Sequence, residues 1–305
     1  MASIAYITDQ KMIDFHRVNE NQTMNFWRPS SVKRFSHFDV GDYLFFLAKG
    51  TEHRRTKEKG IIGYGKFSFA KPLSLRQMWT QYGTLNGYSS KKELTEAILK
   101  VSKNKNIPKT MHCLYLTDII FFQAPVYLSE VGVTVSSSLE SYIYLDRVGV
   151  EATVKILKKA QEVGVDVWQA AMDQTINKDV FKEDVVMHIL AKKVYELFDP
   201  QKADPKIFKR VLEKSLWEAE YIKGGKQALI SQKPHKIYFA LEGNLKDRLM
   251  MLFELIGKIS ILREMIRLDE EISNLNIHFA IICDQKIPSK WSEWLQINQI
   301  EIIEL

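Results

Sequence analysis

The apolar positions of the chain change period twice. Up to about residue 148 they fall mostly in short runs of strand length, bounded by glycine, aspartate and serine. Residues 4–8 predict a first strand and 42–48 (DYLFFLA) a buried one. A third strand covers 60–69, where Gly60, Gly63 and Gly65 mark a twist, a bulge or a close backbone approach. Residues 112–116 and 119–122 read as two strand pieces bent at Thr117-Asp118, and 125–128 continue the sheet. Two helices interrupt these runs. One is 74–82, with Ser74 as N-cap. The other is 90–102, where Ser90 and Glu93 have capping-box spacing and Leu94, Ala97, Ile98 and Val101 repeat at helical intervals.

Beyond residue 149 the pattern is helical over 150–164, 166–177, 182–197 and 207–221. Asp199-Pro200 and Asp204-Pro205 punctuate it, and Gly224-Gly225 ends it. The last 70 or so residues alternate again: a strand at 236–241, one long or two short helices over 245–272, a strand at 277–283, a helix at 288–295 and a strand at 299–305. That order is the pattern of an α/β sheet with crossover connections. The expected fold class is α+β in three parts: a strand-rich domain over 1–148, a helical linker region over 149–222 and an α/β domain over 223–305.

Length and composition fit this division. The 305 residues suit two domains, and 46% hydrophobic with 26% charged residues is an ordinary globular balance. Cys113 and Cys283 lie in separate apolar runs without metal-type spacing, which predicts buried free thiols in a reducing compartment, with a single disulfide between them as the alternative. The first residues lack a basic segment followed by a long apolar one, and no run approaches the 18 apolar residues of a membrane span. A cytoplasmic protein without a membrane partner is expected. The charge adds more. Residues 1–148 hold 20 basic and 13 acidic side chains, and the remainder 23 and 24, so the whole net charge of +6 belongs to the first half. A basic half fits a polyanionic partner, with solubility the competing explanation.

Four segments of that half carry a resemblance: Asn25-Phe26-Trp27-Arg28-Pro29-Ser30; Gly41-Asp42-Tyr43-Leu44-Phe45-Phe46 with Lys59 to Gly65 (KGIIGYG); Met78-Trp79-Thr80-Gln81-Tyr82-Gly83 with Asn86-Gly87; and Leu116 to Phe122 (LTDIIFF). In order and spacing, residues 1–150 resemble the EVE/PUA-like superfamily of nucleic-acid readers, which includes the YTH domains. The resemblance implies a small, partly open β-barrel flanked by helices, with a pocket that accepts one flipped-out base. A flipped base needs a flat ring to replace its lost stacking and partners for its hydrogen-bonding edge. Trp27, Tyr64 and Trp79 are the candidate ring walls, and Asp118, Asn25 and Ser30 the candidate edge partners. Core packing is the competing role for the aromatic residues, and a turn cap for Asp118. Lys49, Arg54, Arg55, Lys57 and Lys59, with Lys91 and Lys92, are the candidate phosphate contacts. A charged helix face is the competing role for the last two. The expected function is recognition of a modified base, in DNA before RNA, as the specificity part of a modification-dependent restriction or phage-defence system.

Joined to such a reader, the second half resembles a PD-(D/E)xK nuclease domain, in which two carboxylates and a lysine hold a divalent metal. Here the strand KIYFAL is followed by Glu242-Gly243-Asn244, with asparagine where that pattern has lysine. Glu242 and Lys258 are therefore the catalytic candidates only on the alternative that this is a metal-dependent endonuclease, and Mg²⁺ is expected only then. Glu254 and Lys258 also suit an ordinary i, i+4 pair. Otherwise no cofactor or metal is expected. An RNA-binding PUA-like protein is the further alternative, and a homodimer through the second half is an expected partner arrangement. The chain has no P-loop, dinucleotide-binding glycine fingerprint or nucleophile elbow.

Overall fold

The structure is a computed structural model that describes residues 3–29, 35, 38–102, 105–136, 139, 141–149, 151–173, 175–198, 205–213, 221–225, 228–232, 234–243 and 245–305. It is a mixed α+β structure that divides into two compact units, Ala2–Lys182 and Glu183–Leu305. The 149–222 stretch is shared between them, with the division falling inside one helix, Asp179–Leu197 (α7).

The first unit is built on a six-stranded sheet. Its strands are Ile4–Thr8 (β1), Met24–Arg28 (β2), Tyr43–Ala48 (β3), Gly60–Leu73 (β4), Met111–Val126 (β5) and Tyr142–Tyr144 (β6). They lie in the order β2-β5-β4-β3-β1-β6; β1 runs parallel to β3, and the other pairs are antiparallel. Three strands separate β1 from β2, yet the rings of Tyr6 and Phe26 meet at 5.1 Å. The sheet therefore curls, and its concave side holds the rings of Phe26, Phe46 and Phe121.

The curl has a local cause. The β4–β5 register shifts at three places, and each such irregularity adds bend and twist. Gly63 sits at the first, where a Cβ would lie 2.4 Å from the Ile120 carbonyl oxygen, so only glycine allows the strands to approach. The two strand pieces expected around Thr117-Asp118 are one continuous strand. Asp118 takes a φ of 49° at the second irregularity and turns outward without ending the ladder.

Helices pack against the sheet in two groups. Gln10–Val18 (α1), which the apolar pattern did not mark, is capped by the Asp9 carboxylate accepting from Lys11 N. With Leu75–Tyr82 (α2) and Lys91–Val101 (α3) it packs Met12, Ile13, Met78, Leu94 and Ile98 into one core with Trp27 and Cys113. Ser74 and Ser90 cap α2 and α3 as expected, although Glu93 turns back to Ser89 instead of Ser90. The second group is Leu145–Val148 (α4), Ala152–Val163 (α5), Val167–Met172 (α6) and the start of α7. The buried carboxylate of Asp166 caps α6 and pairs with Arg17 of α1.

The second unit has a five-stranded sheet, ordered β11-β10-β9-β8-β7. Tyr221–Gly225 (β7), Ala228–Ser231 (β8) and Lys236–Leu241 (β9) form an antiparallel meander. His278–Cys283 (β10) and Ile300–Glu304 (β11) continue it in parallel. Lys206–Glu213 (α8) covers the start of the 207–221 helix expected; 214–220 lie outside the described residues, and Tyr221, expected to end that helix, belongs to the sheet. Its Ile207, Phe208 and Val211 pack on Tyr238, Ala240, Ala280 and Ile282. The 245–272 pattern forms one helix, Leu245–Arg267 (α9), and Ser289–Ile297 (α10) connects β10 to β11. Among the described residues no helix is long and apolar enough to cross a membrane.

Two residues of the α1–α3 layer yield a stability prediction. Gly87 has a φ of 84°, and a Cβ there would lie 2.2 Å from Met12 Cγ, so Gly87→Ala should destabilise the first unit by about 1–3 kcal/mol in a denaturant titration. His16, wholly buried on α1, accepts from Asn21 at Nδ1, and burial pulls its pKa down to about 3. The folded state therefore holds His16 neutral while the unfolded chain protonates it below about 6.5. Its contribution is intact above that pH and is lost as pH falls from 6.5 towards 3, with a slope of at most about 1.4 kcal/mol per pH unit. His16→Gln should flatten this part of a stability-versus-pH curve; an unchanged slope would assign the acid sensitivity to other groups.

Candidate nucleic-acid interface

Period-two alternation decides where the predicted base-pocket residues go. On β2, Asn25 and Trp27 share the face that looks towards α1–α3. Trp27 is nine-tenths buried, and its indole N–H donates to the Asn86 carbonyl at 3.1 Å. Asn25 Nδ2 donates to Asn86 Oδ1 at 2.7 Å, and Asn86 Nδ2 donates to the carbonyls of Gly83 (2.7 Å) and Met78 (3.2 Å). These residues clasp the loop between α2 and α3 to the sheet. Trp79 is partly buried against the same core.

Tyr64 is fully buried elsewhere, among the rings of Tyr43, Phe45, Phe122 and Phe181. Asp118 is 57% exposed, with its carboxylate 3.4 Å from the buried Lys66 ammonium. Ser30 lies outside the described residues. The structure thus brings Asn25 and Trp27 together, with Trp79 in the same core, and places Tyr64 and Asp118 apart from them. The rings of Trp27, Tyr64 and Trp79 pack in the core, and the Trp27 N–H, Asn25 Nδ2 and the Asp118 carboxylate have partners within the fold.

A different group converges on the concave side of the sheet. The residues facing the other way on β2 are Phe26 and Arg28. The Arg28 guanidinium is buried, lies 4.1 Å from the Phe35 ring centroid and 5.9 Å from that of Tyr6, and meets His112 Nδ1 at 2.8 Å. Burial pulls its pKa down, and the surrounding tyrosines oppose that. Tyr6 and Tyr142, directly opposed on β1 and β6, stack in parallel at 5.9 Å with 5° between their planes. Phe35 packs edge-on to Tyr142 at 4.8 Å and to Phe38 at 5.4 Å. Burial raises the Tyr6 hydroxyl pKa, against the pull of Arg28, so Tyr6 keeps its proton at neutral pH.

Tyr6, Phe38, Tyr142 and Tyr144 are only partly buried. A planar aromatic surface open to solvent can receive another planar group, and a neighbouring guanidinium offers donors but no acceptor. The Tyr-x-Tyr spacing at 142–144 is the sequence signal for this cluster, and three residues are too few to establish a strand period from sequence.

The cationic residues divide in the same way. Lys49, Arg54, Arg55 and Lys57 are exposed on the loop between β3 and β4, whereas Lys59 folds back and donates to the Leu139 carbonyl at 3.3 Å. The acids of this loop are tied up within the fold. Glu52 accepts from Gly50 N, which lowers its pKa. Glu58 is lowered too: burial opposes its charge, but the Ser129 hydroxyl and amide and the Thr56 hydroxyl outweigh it. Lys91 and Lys92 are exposed on the first turn of α3, where the helix N-terminus adds positive potential.

In the second unit Glu242 and Lys258 line one cavity of about 70 Å³ with Glu254. Each has a role in the fold. Glu242 accepts from Ile207 N at the start of α8. Lys258 Nζ pairs with Glu254 at 2.6 Å, the i, i+4 pairing expected from the sequence, and lies 4.2 Å from the Phe198 ring centroid. Among the described residues no group of three or more His, Cys, Asp or Glu side chains is placed to hold a metal ion.

No known family pattern matches the chain, and no curated protein matches it. Among solved structures, the chain is similar to the ASCH protein of Zymomonas mobilis, at 13% identity and a TM-score of 0.35 over 51% of this chain and 94% of that one. A tyrosine-to-phenylalanine mutant of that protein gives the same identity and TM-score over 51% and 96%. A serine-to-alanine mutant gives 12% identity and 0.35 over 52% and 95%.

The two cysteines are free and buried, as expected, and burial pushes both thiols up to about 11. At pH 8 a thiol reagent should therefore modify the native protein slowly and react with two thiols per chain once guanidinium unfolds it. Fast reaction of the native protein would show that one of these cores opens readily.

Proposed function

We propose that the chain binds nucleic acid through the first unit, with an unstacked base held against the aromatic cluster of Tyr6, Phe35 and Tyr142. The observation that carries this reading is the partly buried, parallel Tyr6–Tyr142 pair beside the buried Arg28 guanidinium. Stacking on a ring face replaces what a base loses on leaving the helix, and it tolerates any base. Lys49, Arg54, Arg55 and Lys57, whose acidic neighbours are engaged in the loop's own hydrogen bonds, supply phosphate contacts, with Lys91 and Lys92 as a second group. On this reading the target is DNA carrying a modified base, the setting is modification-dependent restriction or phage defence in the cytoplasm, and specificity resides in the base. These finer points rest on the resemblance of residues 1–150 to EVE/PUA-like readers. Glu242 and Lys258 serve the fold of the second unit, and no metal-dependent step is assigned to them.

Fluorescence anisotropy with labelled single-stranded and duplex oligonucleotides tests the site. Tyr142→Ala should weaken binding by about 1–3 kcal/mol, the value of one stacking partner, with the circular dichroism spectrum unchanged. Neutralising Lys49, Arg54, Arg55 and Lys57 together should reduce the slope of log K against log salt by up to about 0.7–0.9 for each phosphate that is no longer neutralised. Absence of binding to DNA and RNA at low salt would overturn the proposal, and full-strength binding by Tyr142→Ala would remove the aromatic cluster from it. Preference for RNA over modified DNA would favour the RNA-binding alternative. Mg²⁺-dependent cleavage abolished by Glu242→Gln in a folded variant would establish the endonuclease alternative.

A further inference from the structure

The outward face of α9 and α10 is apolar where a solvated surface is expected. β9, β10 and β11 are parallel neighbours in that order, so the two right-handed crossovers place both helices on one side of the sheet. Phe253 meets Trp291 at 4.9 Å, and Arg263 donates to the Asn298 carbonyl at 2.6 Å, so α10 lies alongside this part of α9. Their exposed side chains include Met250 (76%), Phe253 and Ile261 on α9 and Leu268 (72%) in the turn that follows it, with Trp294 and Ile297 (81%) on α10. With side-chain areas of roughly 150–250 Å² each, these six leave on the order of 700 Å² exposed, beyond the largest patch on most monomers and close to the share of one partner in a standard interface.

Gly257 lies in the middle of the α9 stripe. A Cβ there would meet nothing within 4 Å, so nothing in its own chain requires glycine, which costs a helix interior about 1 kcal/mol relative to alanine. A missing side chain amid exposed apolar residues lets another helix come close. The stripe is also self-complementary. Met250 precedes Gly257 by seven residues, and Leu268 follows Ile261 by seven. An antiparallel copy centred between Gly257 and Ile261 therefore sets glycine against isoleucine and Met250 against Leu268. Glu254 pairs with Lys258 and Glu264 with Arg267 within α9, so these carboxylates do not drive like copies apart.

We infer that the chain forms a two-fold homodimer through α9 and α10, with the two α9 helices antiparallel and in closest contact at Gly257 and Ile261. This is independent of nucleic-acid binding. Sedimentation velocity of the full chain from about 1 to 100 µM should show twice the monomer mass. The Ile261→Glu/Leu268→Glu double variant should be monomeric with an unchanged circular dichroism spectrum. Gly257→Ala separates the interface from helix propensity: it should raise the stability of the monomeric double variant, yet weaken wild-type dimerisation at least several-fold. A wild type that stays monomeric at 100 µM would overturn the inference. So would a dimer that survives the double substitution, or one that Gly257→Ala leaves equally tight or tighter. If both glutamate substitutions prevent folding, Gly257→Trp on the exposed face supplies the same test, expected to be monomeric and overturning the inference if it dimerises like the wild type.

Discussion

The curl of the six-stranded sheet is the constraint on which the first unit depends. A flat sheet would leave β1 and β2 three strands apart, and Tyr6 would never meet Phe26. The irregular β4–β5 ladder, with Gly63 pressed to the Ile120 carbonyl, bends the sheet until its two ends face each other. That geometry does two jobs. It encloses the rings of Phe26, Phe46 and Phe121 as a core, and it gathers Tyr6, Arg28, Phe35 and Tyr142 at one place. Fold and candidate site thus share one cause.

Buried strands such as β3 are apolar on both sides, so the sheet needs helical covers outside its curl. Asn86 makes one of these covers specific. Its amide and backbone carbonyl join α2 and the following turn to Asn25 and Trp27 of β2. Each interaction is an ordinary hydrogen bond, but all are buried, where an unmade partner costs about 1–3 kcal/mol. The clasp therefore fixes where the helices sit more than it adds net stability.

The second unit solves a different problem with regular parts. A meander feeds a parallel sheet, and crossover helices cover it. Glu242 and Lys258, which the sequence offers as reactive groups, are drawn into this framework: one meets an open amide at the start of α8, and the other lies beside Glu254 and the Phe198 ring. Charge partition between the halves suits different surfaces. The basic half has charged loops and open rings, while the nearly neutral half has an apolar helix face.

The sequence by itself determined the strand and helix segments with long, clean periods: β1, β3, β4, α2, α3, α5 and the alternation from β9 to β11. Burial depends on repeated local spacing, which a single chain displays. It also determined the buried thiols and the Glu254–Lys258 pair, both short-range consequences of neighbouring residues. Short or mixed segments were not legible. The period of β2 is hidden because Asn25 and Arg28 are polar yet buried, and β6 has only three residues. Only the tertiary structure decided which rings are fully packed and which stay partly open to solvent. Trp27, Tyr64 and Tyr142 look alike in sequence, each an aromatic residue in or beside a strand. What separates them is which side of a curled sheet each occupies and what covers that side, and that depends on residues distant along the chain: Asn86 over Trp27, Phe181 over Tyr64, and Tyr6 beside Tyr142.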